Sequence, residues 1–271
     1  MKEAKPNVLD TRTSRGVADL VLGLHKYEAW TTMAWHDIRK RYRRSLIGPF
    51  WITLSMGAMV LGIAVVFSGL FGRPFGDLVP YLAIGLSVWA FVVAMTSEVS
   101  SVFNEAAPMS KNMTWPYSLF IFKHFAQQLI IFGHNIAAGL IIVLLAGKLS
   151  VIGVLIAIPG FVLSTINCAW IGFMVAVVGA RFRDVQLAMT NILQVFFFLT
   201  PIIWHAEDLR DHQFILLLNP FYYIVSIVRD PILGQIPPFS TWLVSFVMAV
   251  VGWVLAVILY DQKHQRLSYW V

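Results

Sequence analysis

The chain is 271 residues long, 58% hydrophobic and only 13% charged, far from the roughly quarter-charged composition of soluble domains. Its net charge of +6 is concentrated, with ten of the twenty Lys and Arg in residues 1–45. These values exclude a soluble globular protein, and cations flanking an apolar stretch answer to anionic lipid headgroups rather than to nucleic acid.

Residues 1–45 read as a cytoplasmic tail followed by an amphipathic helix. Leu20, Leu24, Tyr27, Thr31, Ala34, Ile38 and Tyr42 recur at helical spacing, with Trp30 and Trp35 nearby. This is the pattern of a helix lying along a membrane surface with its apolar side in lipid; a simple topology anchor is the other reading. The segment ends in Arg39-Lys40-Arg41-Tyr42-Arg43-Arg44 and has no apolar core suited to a cleavable signal peptide.

Residues 46–71 then run without a single charge, and they are taken as the first span. Residues 78–103, interrupted by Glu98, make the second, and 125–147, which holds His134, the third. The uncharged stretch 149–180 is too long for one perpendicular helix, so tilt or a kink at Pro159-Gly160 is expected. Along it Gly160, Ser164, Cys168, Gly172, Ala176 and Ala180 fall at every fourth position, which lets another helix approach closely; packing within the chain is expected ahead of a subunit interface. Residues 185–204 and 239–260 complete six spans, and 261–271 read as a cytoplasmic tail. Between them, 205–238 mixes Glu207, Asp208, Arg210 and Asp211 with short apolar groups. Re-entrant helices sheltered by protein, or an amphipathic outer loop, are the two readings of that segment.

Sixteen of the twenty Lys and Arg fall on one side if 1–45, 104–124, 181–184 and 261–271 are internal. That asymmetry places both termini in the cytoplasm. The fold class expected is an all-α integral membrane protein with a six-span domain over 46–260.

Chemistry of the usual kinds is missing. Gly147-Lys148 lacks the rest of a phosphate-binding loop, the seven histidines are scattered, and no nucleophile elbow is present. Neither a catalytic nor a metal site is predicted, and the lone Cys168 permits no internal disulfide. Within the spans Glu98 is the one carboxylate and His134 the one histidine, too few for a proton-coupled pump, and each reads more readily as a packing or interface group. Energy is therefore expected from outside the chain. Aromatic side chains are abundant, and Trp89, Phe196, Phe197, Phe198 and Trp204 either line a path suited to sugar rings or belong to the lipid-facing belt.

Residues 35–51 (WHDIRKRYRRSLIGPFW) resemble the start of permease subunits of bacterial polysaccharide ABC exporters, the type-2 ABC permeases for O antigen, capsule or teichoic acid. Further similar motifs follow in order: Arg181-Phe182-Arg183-Asp184, residues 198–204 (FLTPIIW), Asn219-Pro220-Phe221-Tyr222-Tyr223 and residues 229–234 (RDPILG). The resemblance covers residues 19 to 260. It implies an inner-membrane homodimer with an interface helix, re-entrant helices between spans five and six, and two copies of a separate ATPase that carry ATP and magnesium. No cofactor is then expected in this chain, and no nucleic acid among its partners. It further implies that a lipid-linked polysaccharide, with O antigen the leading candidate, presents its pyrophosphate to Arg39, Lys40, Arg41, Arg43 and Arg44. ATPase coupling would fall to Asn104, Glu105, Lys111 and Trp115 with Arg181, Arg183 and Asp184. The outer gate would fall to Asn219, Pro220, Phe221, Tyr222 and Tyr223. An exporter of small hydrophobic drugs or lipids, and a membrane enzyme acting on lipid-linked sugars, are the alternatives.

Overall fold

The structure is a computed structural model that describes residues 15–43, 48, 50–110, 115–209 and 213–270. Among them there are helices and no strands. In chain order the helices are α1 (Arg15–His25), α2 (Tyr27–Tyr42), α3 (Phe50–Phe71), α4 (Phe75–Thr96), α5 (Val102–Ser110), α6 (Tyr117–Leu145), α7 (Val151–Gly179), α8 (Val185–Leu199), α9 (Phe214–Leu218), α10 (Pro220–Ile232) and α11 (Phe239–Trp270).

Among the described residues, five helical segments are long and apolar enough to cross a membrane: Thr53–Leu70, Phe75–Ala106, Tyr117–Leu145, Val151–Gly179 and Phe239–Leu267. The segment expected as a fifth span over 185–204 stops short. Its helix α8 has 15 residues, about 22 Å at 1.5 Å per residue, against an apolar layer of about 30 Å. The cause is local: Thr200 precedes Pro201 and takes the extended conformation that proline imposes on its neighbour, at φ −94 and ψ 135. The segment taken as a tail, 261–271, instead continues α11 as far as Trp270.

Helix α4 is the centre of the bundle. Residues Pro80 to Trp89 are all buried, between α3, α6, α7 and α10. Its break at Ser97 comes earlier than the sequence suggested, and a short 3-10 turn, Glu98–Ser101, leads into α5. The small-residue stripe of α7 packs within the chain, as expected. A Cβ at Gly160 would strike the Ile227 carbonyl, and one at Gly172 the Met95 carbonyl. Ser164 Oγ donates to the Ile224 carbonyl at 2.7 Å.

These contacts fix the depth of α10. The amide of Ser150, at the start of α7, donates to the Ile232 carbonyl at 3.3 Å. Ser164, near the middle of the 29-residue α7, meets Ile224. Helix α10 therefore runs antiparallel to α7, from mid-length of the bundle to the end where α7 begins. At its inner end Phe221 lies 5.7 Å from Trp89.

The amphipathic helix is two helices that meet at Lys26, and its apolar stripe is only partly used as expected. On α2, Ala34 and Ile38 are buried against the bundle. On α1 the buried face is Gly16, Asp19 and Gly23, while Leu24, and Tyr27 at the start of α2, are exposed by 56% and 59%. The small and polar side faces protein here because a carboxylate waits there for two free helix amides. Asp19 accepts from the backbone amides of Tyr117 (2.9 Å) and Ser118 (3.0 Å), the first turn of α6. It also accepts from Tyr260 Oη of α11 at 2.6 Å, and His264 Nε2 lies 3.2 Å away. Burial alone would raise the Asp19 carboxyl, but the His264, Tyr260 and Ser118 contacts outweigh it and hold the group below its ordinary value of 3.8.

Candidate transport path

At the end of the bundle that carries α1 and α2, the last turn of α2 places Arg39, Lys40 and Arg41 in the open, with Arg43 just beyond. Basic groups there complement the negative end of the helix dipole. Arg44 lies outside the described residues. Lys40 and Arg41 line a cleft of about 430 Å³ that also includes Asp37, Glu105 and Lys123. Asp37 is committed, since Lys123 Nζ lies 2.7 Å and Gln127 Nε2 2.9 Å from its Oδ2. Glu105 accepts from Ser101 Oγ at 2.6 Å. Two residues expected to meet a headgroup and one expected to couple to an ATPase thus share a single cleft.

The remaining residues expected in coupling are spread along the same end. Asn104 is exposed on α5, and Lys26 Nζ sits 5.2 Å above the Trp115 ring. Lys111 lies outside the described residues. Arg181 stands 5.5 Å from the Trp270 ring, and Arg183 and Asp184 are exposed in the turn before α8.

From there α8 leads into the bundle with one buried residue, Leu193. Its exposed Gln186, Thr190 and Gln194 recur every fourth residue, with Asn191 alongside, so a polar stripe climbs an otherwise apolar helix. The stripe borders a groove of about 500 Å³ whose lining includes Trp89, Asn135, Gln194 and Phe197. Trp89 and Phe197 are 5.9 Å apart. Phe196 turns the other way, 5.0 Å from Phe221, and Phe198 points outward at 58% exposure. The aromatics were readable as candidates. The polar stripe and Asn135 were not selected, although a four-residue spacing of amides and a hydroxyl inside residues 185–204 is a visible signal.

Where α8 ends, freed backbone groups must find partners inside protein. Trp204 Nε1 donates to the Phe198 carbonyl at 3.0 Å. Tyr81 Oη donates to the carbonyls of Pro201 (2.8 Å) and Trp204 (3.0 Å). Arg229, 3% exposed, donates to the Pro201 carbonyl as well. Its charge is met by Asp230 at 2.7 Å, and its guanidinium lies 4.2 Å over the Tyr81 ring. Asn219 joins the knot through Thr200 (Nδ2 to Oγ1, 2.9 Å) and caps α10 through the Phe221 amide (3.0 Å).

Of the other residues expected at an outer gate, Pro220 opens α10. Tyr222 and Tyr223 pack edge to face at 5.4 Å, and Tyr223 Oη donates to the Leu217 carbonyl at 2.9 Å. Beyond the knot, His205 stacks on Tyr81 at 3.9 Å. Arg73 pairs with Asp208 at 2.6 Å.

Among the described residues no group of three or more His, Cys, Asp or Glu is placed to hold a metal ion. The chain is 20% identical over 212 residues to the O-antigen export system permease protein RfbA of Myxococcus xanthus. That alignment covers 76% of this chain and 81% of the relative. The profile of the ABC-2 type transporter family matches residues 28–233, which include four of the five motifs that carried the resemblance and all but the last residue of the fifth. The resemblance is borne out, and the chain belongs to the ABC-2 type transporter family.

Proposed function

We propose that this chain is the membrane-spanning subunit of an ATP-driven exporter that moves lipid-linked polysaccharide, O antigen first among candidates, across the inner membrane. The observation that carries this reading is the match of two surfaces to the two parts of such a substrate. A cleft lined by Lys40 and Arg41 offers cations, and the Thr190 and Gln194 stripe of α8 borders a separate groove with a Trp89–Phe197 wall. Cations suit a pyrophosphate head. A groove of amides and aromatic faces without formal charge suits a neutral glycan that must keep moving.

In this reading α8 and the α9–α10 hairpin complete the sixth crossing, with the mid-depth start of α10 as the re-entrant tip. Both termini lie in the cytoplasm, as the distribution of basic residues favours. Two copies of the chain form the channel. Their natural meeting faces are α3 and α8, since the window Thr53–Leu70 is only 11% buried and α8 buries Leu193 alone. Two copies of a separate ATPase supply ATP and magnesium. Their closure pushes on the α5 region and on α1 and α2, and so parts the two permease copies.

Reconstitution of the chain with its ATPase in lipid vesicles tests the substrate class. ATP hydrolysis that rises with lipid-linked polysaccharide and not with small amphiphiles supports the proposal. The opposite pattern favours the exporter of small hydrophobic molecules.

A further inference from the structure

The groove between α3 and α8 holds one polar group that its surroundings leave unmatched. Asn135 is 6% exposed, and its Oδ1 has no hydrogen-bond partner among the described residues. The hydroxyl nearest to its backbone is engaged elsewhere: Ser87 Oγ donates to the Ala83 carbonyl at 2.6 Å and stands 3.5 Å from the Asn135 carbonyl. On the far wall Thr190 Oγ1 is already 2.9 Å from Ser97 Oγ. Gln194, one turn further along the stripe, is exposed toward the same groove.

A buried amide oxygen without a donor is costly, so its position on a groove wall calls for a donor that arrives with a ligand. The chemistry of that ligand is narrow. Besides the hydroxyls of Ser55 and Thr190, the groove is walled by apolar side chains, among them Met56, Leu86, Trp89, Leu193 and Phe197, and no charged side chain among the described residues lines it. An acyl or isoprenoid chain would cover the apolar wall and leave Asn135 unmatched. An anion would find no cation. A sugar ring satisfies both halves, with an apolar ring face for the aromatic wall and hydroxyl donors for the amides. The volume, about 500 Å³, falls in the range of roughly 300–1,000 Å³ usual for small-molecule sites.

We propose that Asn135, Gln194 and Trp89 form a sugar-docking station at which the polymer is held ring by ring during passage. A hydroxyl of the ring donates to Asn135 Oδ1, Gln194 pairs with a second hydroxyl, and the apolar face rests on Trp89 and Phe197. The proposal rests on the polysaccharide reading and adds to it the residues that select for sugar. Neutral hydrogen bonds contribute little net energy each, so the station holds a ring without trapping it.

The only cysteine, Cys168, is buried, so Gln194→Cys introduces a single addressable thiol. Its labelling by a small maleimide is compared, in native membranes with the ATPase present, between cells that make the lipid-linked polymer and cells unable to start it. Labelling several-fold slower when polymer is present is the expected result, and equal rates overturn the station. Asn135→Leu provides a second readout, with export expected to fall about tenfold at unchanged membrane level and Asn135→Ser recovering part of it. Wild-type export by Asn135→Leu likewise overturns the station. Loss of export on gene deletion, combined with equal labelling and normal Asn135→Leu export, rejects the station alone. Persistence of surface glycan after deletion rejects the exporter reading itself.

Discussion

The Asn219 side-chain amide donates a 2.9 Å hydrogen bond to Thr200 Oγ1, and so ties the first turn of α10 to the residue at which α8 stops. Asn219→Leu removes this bond and the cap on the Phe221 amide together. A loss of about 2 kcal/mol is expected, about one for the cap and about one for the bridge. Thermal unfolding of the detergent-solubilised protein should show it as a lowered Tm, with Asn219→Asp losing less because it keeps the cap.

Arg229 is the sharper case. Arg229→Met leaves Asp230 as an unpaired, largely enclosed carboxylate, 17% exposed, and takes a donor from the Pro201 carbonyl, for an expected loss of about 3 kcal/mol. Arg229→Met combined with Asp230→Leu should recover part of that loss, because the stranded charge is gone. A double-mutant cycle on Tm checks the order, with the single variant less stable than the double.

The cationic cleft separates binding from folding. Lys40 and Arg41 are exposed on α2, so charge reversal at both should leave membrane insertion and ATPase assembly unchanged. Export of surface glycan should be abolished. Gel analysis of glycolipid alongside co-purification of the ATPase gives both readouts from one culture.

Glycine positions discriminate contact from propensity. Gly160→Val drives a side chain into the Ile227 carbonyl of α10, whereas Gly133 has nothing within 4 Å. The first substitution should cost about 1–3 kcal/mol and reduce export, and Gly133→Ala should do neither.

Asp19 sets a pH dependence. Its folded pKa lies below the ordinary 3.8, so the unfolded chain binds the proton first as pH falls. The stabilisation is fully present above 3.8 and is lost as pH drops through the lower folded value. Asp19→Asn should therefore lower Tm at pH 7, and the gap to wild type should narrow below 3.8.

Much of this was legible in the sequence because lipid makes strong demands. An uncharged run of membrane length beside a basic cluster is readable from composition, and so were the long helices, the basic end and the inward-packing stripe of α7. Three features were not. Helix α8 looked like a full span because Phe198 to Trp204 are apolar, but proline geometry at Thr200-Pro201 outweighs hydropathy. The α1 stripe was assigned by apolar spacing, whereas its packing is decided by Asp19, whose partners Tyr117 and Tyr260 lie about a hundred residues or more away in the chain. The groove was read through its aromatics alone, since Asn135 and Gln194 share a pocket only once α6 and α8 are placed.

Deletion of the gene in its host, followed by gel analysis of surface and intracellular glycolipid, tests the central claim most directly. The account predicts loss of surface polymer while lipid-linked polymer accumulates inside, restored by the wild-type chain. Unchanged surface glycan would contradict it.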